Sequence, residues 1–177
     1  MEICSVGGFN EVGKNMTALE VDDDVLIFDS GLFLPAIVGV EEREKIPTEK
    51  GMRALGALPD DVYLEKKGLK DKVRAILISH AHLDHVGALQ YNAYRYKAPI
   101  LGTPFTMEVL KILAKDNNKR IMNRIIPVNV NSSYFIKGKN YKYRIEFINI
   151  THSTIQSAII AVHTREGIVL YANETGI

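Results

Sequence analysis

Three of the five histidines in this 177-residue chain fall inside one short run, Ser79-His80-Ala81-His82-Leu83-Asp84-His85. With Asp84 they make a dense set of groups that bind metals. Backbone geometry limits what this set can do. In a continuous helix His80 and His82 point about 200° apart and cannot share an ion. In an extended strand His80 and Asp84 lie on one side but ~13 Å apart. Zinc ligands sit ~2.0–2.2 Å from the metal, so their donor atoms must come within a few Å of one another. The run is therefore expected to curl into a loop, where its donors could serve one metal or two neighbouring metals. The competing reading is a polar turn in which Asp84 caps the next helix and the imidazoles are solvated. That reading leaves so dense a cluster unexplained.

The elements around the run are those needed to hold it. Val73 to Ser79 reads as a buried strand that ends where the histidines begin, and Val86 to Lys97 reads as helical up to Pro99. Upstream, Ile3 to Val6, Thr17 to Val21 and Val25 to Phe28 read as strands. Asp22-Asp23-Asp24 makes the turn of a hairpin that finishes at Asp29-Ser30-Gly31. Residues 41–50 are a charged, solvated stretch with Pro47 and Thr48 opening a short helix, closed by Pro59-Asp60-Asp61. Ile100-Leu101 is a short strand. Thr103 is a good N-cap with Pro104 at the first helical position, and the helix runs to about Lys115 on an apolar face of Met107, Leu110, Leu113 and Ala114. Strands return at Ile125 to Val130, Tyr141 to Ile150, Ser157 to Thr164 and Ile168 to Ala172. Strands before and after the helices predict a mixed α/β sandwich rather than a doubly wound sheet.

Composition sets the outer bounds. The length fits one domain or a piece of a larger one. With 46% hydrophobic and 24% charged residues, bulk disorder is excluded. Twenty-two basic against 21 acidic residues exclude a module that grips nucleic acid by bulk charge, though a local basic face stays open. The single cysteine, Cys4, excludes an internal disulfide or a multi-cysteine zinc site and is expected in the core. Glu2 stands where a signal peptide would carry a base, and Asp29, Ser30 and Pro35 interrupt the longest apolar run, Val25 to Val40. A cytoplasmic protein with no membrane segment is expected.

The His80-x-His82-x-Asp84-His85 arrangement resembles the signature of the metallo-β-lactamase superfamily. Three further motifs agree in order and approximate spacing: Asp29 at a strand end, His152 in Asn149-Ile150-Thr151-His152-Ser153, and a carboxylate in Leu170-Tyr171-Ala172-Asn173-Glu174. The chain thus resembles one αββα sandwich domain over residues 1–177, as an incomplete N-terminal half. Within the superfamily it is similar to the ribonuclease J group of β-CASP nucleases, the archaeal type in particular. The likeness rests on Gly7-Gly8-Phe9-Asn10-Glu11-Val12-Gly13-Lys14-Asn15-Met16-Thr17, on Asp29 to Pro35 and on Thr151-His152-Ser153.

The resemblance implies zinc-dependent hydrolysis of RNA phosphodiesters, 5′ to 3′ and sometimes internal. It also implies an inserted β-CASP domain and a returning segment, neither of which is in this sequence. His80, His82 and His152 would hold one zinc, Asp84 and His85 a second, with a shared carboxylate and a bridging water between them. Asp84 and Asp29 are the catalytic candidates, Asp29 by fixing a ligand's tautomer; its competing role is a turn residue before Gly31. Glu174 departs from the family's bridging Asp, and Thr175-Gly176-Ile177 lacks the aromatic and lysine that usually follow. One firm zinc, a weak second site and weak activity of this chain alone are therefore expected.

Other signals carry less. Gly8 to Asn15 is one residue from a phosphate-cradling P-loop, but Met16 to Val21 alternates like a strand instead of opening a helix, so a tight turn near the metal loop is expected. Lys115, Lys119, Arg120 and Arg124 form one basic patch, and Lys137, Lys139, Lys142 and Arg144 interleave with Tyr141 and Tyr143 in another. Either could touch RNA; a solvated face is the plainer reading. His163 reads as a surface histidine. Two other functions fit: a non-catalytic metal-binding remnant whose apolar seam self-associates or takes a complementing chain, and a small-molecule (thio)ester hydrolase.

Overall fold

The structure is a computed structural model that describes residues 1–38 and 48–172. In chain order it contains β1 (Glu2–Gly7), β2 (Met16–Val21), β3 (Asp24–Phe28), α1 (Glu49–Ala54), α2 (Val62–Lys66), β4 (Val73–Ile78), α3 (Leu83–Val86) and α4 (Leu89–Asn92). There follow β5 (Ile100–Gly102), α5 (Pro104–Asp116), β6 (Ile125–Pro127), β7 (Ser132–Lys137), β8 (Lys142–Asn149), β9 (Ala158–Thr164) and β10 (Gly167–Tyr171). The first six strands form one sheet in sequence order, and the last four form another in the order β10-β9-β8-β7. The first three strands meander antiparallel, whereas β3 to β6 run parallel. Loops at the ends of β3 and β4 therefore emerge side by side, because parallel neighbours finish at the same edge of the sheet.

Alternation decides what each sheet buries. Leu19, Val21, Leu26, Phe28, Ala75 and Leu77 face the second sheet and meet Ile136, Tyr143, Ile145, Phe147, Ile160 and Val162. On the other face of the first sheet, Ala18, Val25, Ile27, Ile76 and Ile78 pack against Leu64, Val86, Leu89, Met107 and Leu110 from the helices. The strands β3 and β4 are buried on both faces, which explains their nearly unbroken apolar sequences. Among the described residues the layers are helices, sheet, sheet. No described helix covers the outer face of the second sheet, where Phe135, Arg144, His163 and Ile168 align in one row and Glu146, Ala161 and Leu170 in the next. Phe135, Ile168 and Leu170 remain exposed there, and His163 is held between Arg144 and Glu146. The cysteine lies in the core, as expected.

Local departures from the sequence reading have physical causes. The helix expected over Val86 to Lys97 is broken into α3, α4 and a final 3-10 turn, Ala93–Arg95. Carbonyls of α3 serve loops instead of continuing a helix: Asp84 and His85 accept from the backbone N–H groups of Asn15 and Ser30, while Leu83 accepts from both Gly87 and Leu32. The segments α2 and β7 were not anticipated. Two inward apolar residues, Tyr134 and Ile136, are too few to mark β7, which exists through its full ladder with β8. Thr103 and Pro104 open α5, but the Thr103 hydroxyl pairs with that of Thr106 instead of capping a backbone N–H; Thr48 caps α1, its hydroxyl accepting from the Gly51 N–H. Pro47 and most of the charged 41–50 stretch lie outside the described residues.

One buried carboxylate ties the two sheets. Asp24, fully buried at the start of β3, accepts from the Tyr143 hydroxyl at 3.0 Å and the Lys139 backbone N–H at 2.8 Å, and pairs with Arg74. Arg74 belongs to the first sheet and the other two donors to the β7–β8 hairpin. Replacing one partner of such a group strands the others, so Asp24→Ala is expected to cost about 3 kcal/mol, read as a lowered urea midpoint with an unchanged slope. A change below about 0.5 kcal/mol would show that the clamp carries no weight.

Candidate metal centre

The strand β4 ends at Ile78, and the chain turns immediately. His80 lies outside any helix or strand, and His82 is extended as the N-cap of α3. His82 O accepts from the N–H groups of both His85 and Val86, so the run curls back within a few residues. The second contributor comes from far along the chain. The loop between β8 and β9 carries His152 and is fixed by three bonds: Ala158 N–H to Ser79 O, Ile150 N–H to Ser157 O, and Phe105 N–H, at the start of α5, to the Gln156 side chain. The first of these joins the start of β9 to the end of β4, which seats His152 opposite the histidine run.

There the three imidazoles meet. His80 Nε2 lies 3.0 Å from His82 Nδ1, and His152 Nε2 lies 3.2 Å from the same atom. One donor atom from each of the three falls within 4.8 Å of the others, which is the spacing of a group that could hold a metal ion. His80 is buried, while His82 and His152 are half-buried at the surface. The polar turn with solvated imidazoles therefore does not describe this region, and Asp84 makes no N-cap bond to α3.

Asp29 organises the rings from below. It follows β3 in a left-handed backbone conformation, φ 57°, which its short side chain tolerates better than most. Its carboxylate, fully buried, accepts from the Ser79 N–H at 2.8 Å, from the Ser79 hydroxyl at 2.9 Å and from His85 Nδ1 at 2.8 Å. Because the Ser79 hydroxyl is committed to Asp29, its oxygen accepts from His80 Nδ1 at 2.9 Å. That fixes the tautomer with the lone pair on His80 Nε2, the atom that faces His82 and His152. On the outer side, Ser153 Oγ sits 3.0 Å from His82 Nε2 and steadies that ring, whose Nδ1 faces His80 and His152. Burial, then the charge of His85, pushes the His80 pKa down to about 3, so its ring is neutral at pH 7 and free to donate.

Asp84 and His85 form a second group beside the first. His85 Nε2 lies 3.5 Å from Asp84 Oδ2. Burial disfavours a charged His85 ring, but the Asp29 carboxylate outweighs it, with help from Asp84, and raises its pKa to about 10. Contact with His85 holds Asp84 below the usual carboxylate range against the opposing effect of burial. A cation taken up by His85 therefore displaces a proton. This corner needs a glycine at position 31: a Cβ there would stand 1.5 Å from Asp84 O, so only a bare backbone lets the loop after β3 approach α3.

The donor set suits a divalent metal: three imidazole nitrogens converge, each of His80 and His82 is oriented by a partner on its other nitrogen, and a carboxylate stands alongside. Of the residues singled out from sequence, His80, His82, Asp84, His85, His152 and Asp29 come together here. Glu174 lies outside the described residues. Sequence reasoning assigned no role to Asn15, Ser79 or Ser153, although each sits next to a recognised motif. Cys4 and His163 stand apart from the centre, as expected.

Comparison with known proteins bears on this arrangement. The chain is 36% identical over 177 residues to a ribonuclease J of Methanocaldococcus jannaschii, covering 98% of this chain and 38% of that protein. It is 40% identical over 175 residues to a ribonuclease J of Pyrococcus abyssi, covering 97% of this chain and 37% of that protein. The chain thus spans less than two fifths of the length of these curated relatives. Among solved structures, a protein of unknown function from Enterococcus faecalis superposes with a TM-score of 0.66 at 18% identity, covering 96% of this chain and 42% of that one. A family description, the metallo-beta-lactamase superfamily, matches residues 10–173, which run from the glycine loop past β10 and take in every described donor. The chain belongs to the metallo-β-lactamase superfamily.

Proposed function

We propose that this chain is the metal-binding part of a cytoplasmic ribonuclease J-like hydrolase that cleaves RNA phosphodiester bonds. The convergence of His80, His82 and His152 donor atoms carries the reading, and the likeness to ribonucleases J over nearly the whole chain supplies the substrate class. His80, His82 and His152 would hold one zinc, and Asp84 and His85 a second, with Glu174 as the carboxylate between them. Imidazole donors at this spacing suit zinc. Divalent cations bound there supply Lewis acidity at a phosphoryl oxygen and an acidified water.

The protein's own groups do the orienting. Asp29 keeps protons on Ser79 Oγ and His85 Nδ1, which leaves His80 Nε2 and His85 Nε2 as the atoms for a metal. Asp84, half-buried beside His85, presents a carboxylate at the same rim. Ser153 is exposed and His82 and His152 are half-buried, so the cluster meets solvent on that side. No helix among the described residues is long and apolar enough to cross a membrane.

One observation favours a second reading, in which the chain works as a module completed by another chain. The outer face of the second sheet exposes Phe135, Ile168 and Leu170 in adjoining rows. Activity measurements separate the two: a 5′-phosphorylated RNA oligomer should be cut weakly or not at all by this chain alone. Cleavage restored by adding the remaining ribonuclease J segments as a separate chain favours the module, and robust processive degradation by the chain alone excludes it. Light scattering that gives a clean monomer counts against self-association through this face.

Metal content tests the primary reading. The purified protein should carry between about one and two zinc per chain by elemental analysis, and His82→Ala should lower that by about one while circular dichroism stays unchanged. A folded protein that takes up no zinc would remove the basis of the proposal.

A further inference from the structure

The glycine loop between β1 and β2 is left unexplained by the histidine cluster, yet its last residue reaches the centre. Asn15 Nδ2 donates to Asp84 Oδ2 at 3.2 Å and lies 3.1 Å from His85 Nε2. Those are the two atoms that face one another at 3.5 Å in the Asp84–His85 pair. For a cation with bonds of ~2.0–2.1 Å, two tetrahedral ligands stand about 3.3 Å apart. The amide therefore touches both members of a pair that is already at the spacing of shared ligands.

Asn15 is itself held from several sides. Its N–H donates to Asp84 O at 3.1 Å, and its carbonyl accepts from Gly31 N–H at 3.1 Å. Gly8, at φ 83°, packs so closely that a Cβ there would meet Asn15 Oδ1 at 2.5 Å. The adjacent Lys14 N–H is bonded to Leu32 O. The loop from Gly8 to Lys14 thus works as a brace that aims one amide at Asp84 and His85. The Asn15 side chain bears on Asp84 and His85, the pair beside the three-histidine cluster. An aspartate at this place would put a second carboxylate against Asp84 and lose the donor, whereas an amide binds the carboxylate without competing charge.

We propose that Asn15 is a positioning residue for the second cation: it fixes the Asp84 carboxylate and the His85 ring at ligand spacing and so sets the affinity of that position, while the three-histidine position is independent of it. This rests on the metal-centre reading above. It gives the loop a function other than nucleotide binding, for which the element after it, a strand, is the wrong kind.

The test is a two-step titration of the metal-stripped protein with Co2+, followed by its visible d–d absorption and by calorimetry. The unmodified protein should show a tight and a weaker step. Asn15→Ala keeps both backbone bonds of the residue and should leave the first step within about twofold while weakening the second by roughly tenfold or more, the scale seen when a group that orients a metal ligand is removed. Asn15→Ser, which keeps a hydroxyl donor, should lose less than the alanine variant and guards against misfolding of either one. Equal weakening of both steps, or an alanine variant with an unchanged second step, would overturn the role given to Asn15 and leave the metal centre standing. A protein that binds no Co2+ at all would overturn the metal centre, and with it this proposal. Uptake of a single cation that Asn15→Ala does not alter would overturn the proposal alone.

Discussion

A single buried carboxylate, that of Asp29, governs the site. Placed at the end of β3 in a left-handed conformation, it receives three hydrogen bonds, two from Ser79 just after β4 and one from His85 in α3. Without them the ends of two neighbouring parallel strands would present loops with no fixed relation. With them, one imidazole is oriented directly and another through a serine hydroxyl, and Nε2 of each faces a neighbouring candidate ligand. A left-handed non-glycine residue costs of the order of 1–3 kcal/mol, a strain the surrounding bonds must offset. Strain of that kind is tolerable here because the strands on either side are buried on both faces and cannot shift.

The rest of the fold serves this arrangement at longer range. The first sheet supplies Asp29 and the histidine run from adjacent strands, and the second sheet delivers His152. The two sheets must therefore keep a fixed distance if the third imidazole is to meet the other two. The Asp24 network on the β7–β8 side and the Ala158–Ser79 bond on the site side hold the sheets at separated points. Between them lies the apolar layer of Phe28, Leu77, Tyr143 and Phe147, whose close packing resists sliding. Residues 70 positions apart in sequence are thus brought to 3.2 Å by ordinary sandwich physics rather than by any local signal.

Much of this was legible in the chain itself. The density of histidine forced a loop, the strand before it was plain, and Asp29 and His152 were identified by motif and order. The carboxylate of Glu174 falls outside the described residues and stays a proposal. What escaped notice shares one physical trait: it depends on contacts distant in sequence. Ser79, Ser153 and Asn15 are ordinary polar residues until the fold sets them against a ring or a carboxylate. The strand β7 exists because β8 is there to pair with it. The helix after the histidine run broke because the loops at residues 15 and 30 claimed the carbonyls of Asp84 and His85, a competition invisible to periodicity.

The convergence of three imidazole lone pairs on one point is the central claim, and X-ray absorption at the zinc K-edge of the zinc-loaded protein examines it most directly. The account predicts a first shell at ~2.0–2.1 Å with the multiple scattering of about three imidazoles on the tightly bound ion, reduced by one in His152→Ala. A shell made of oxygen alone, or one that His152→Ala leaves unchanged, would contradict it.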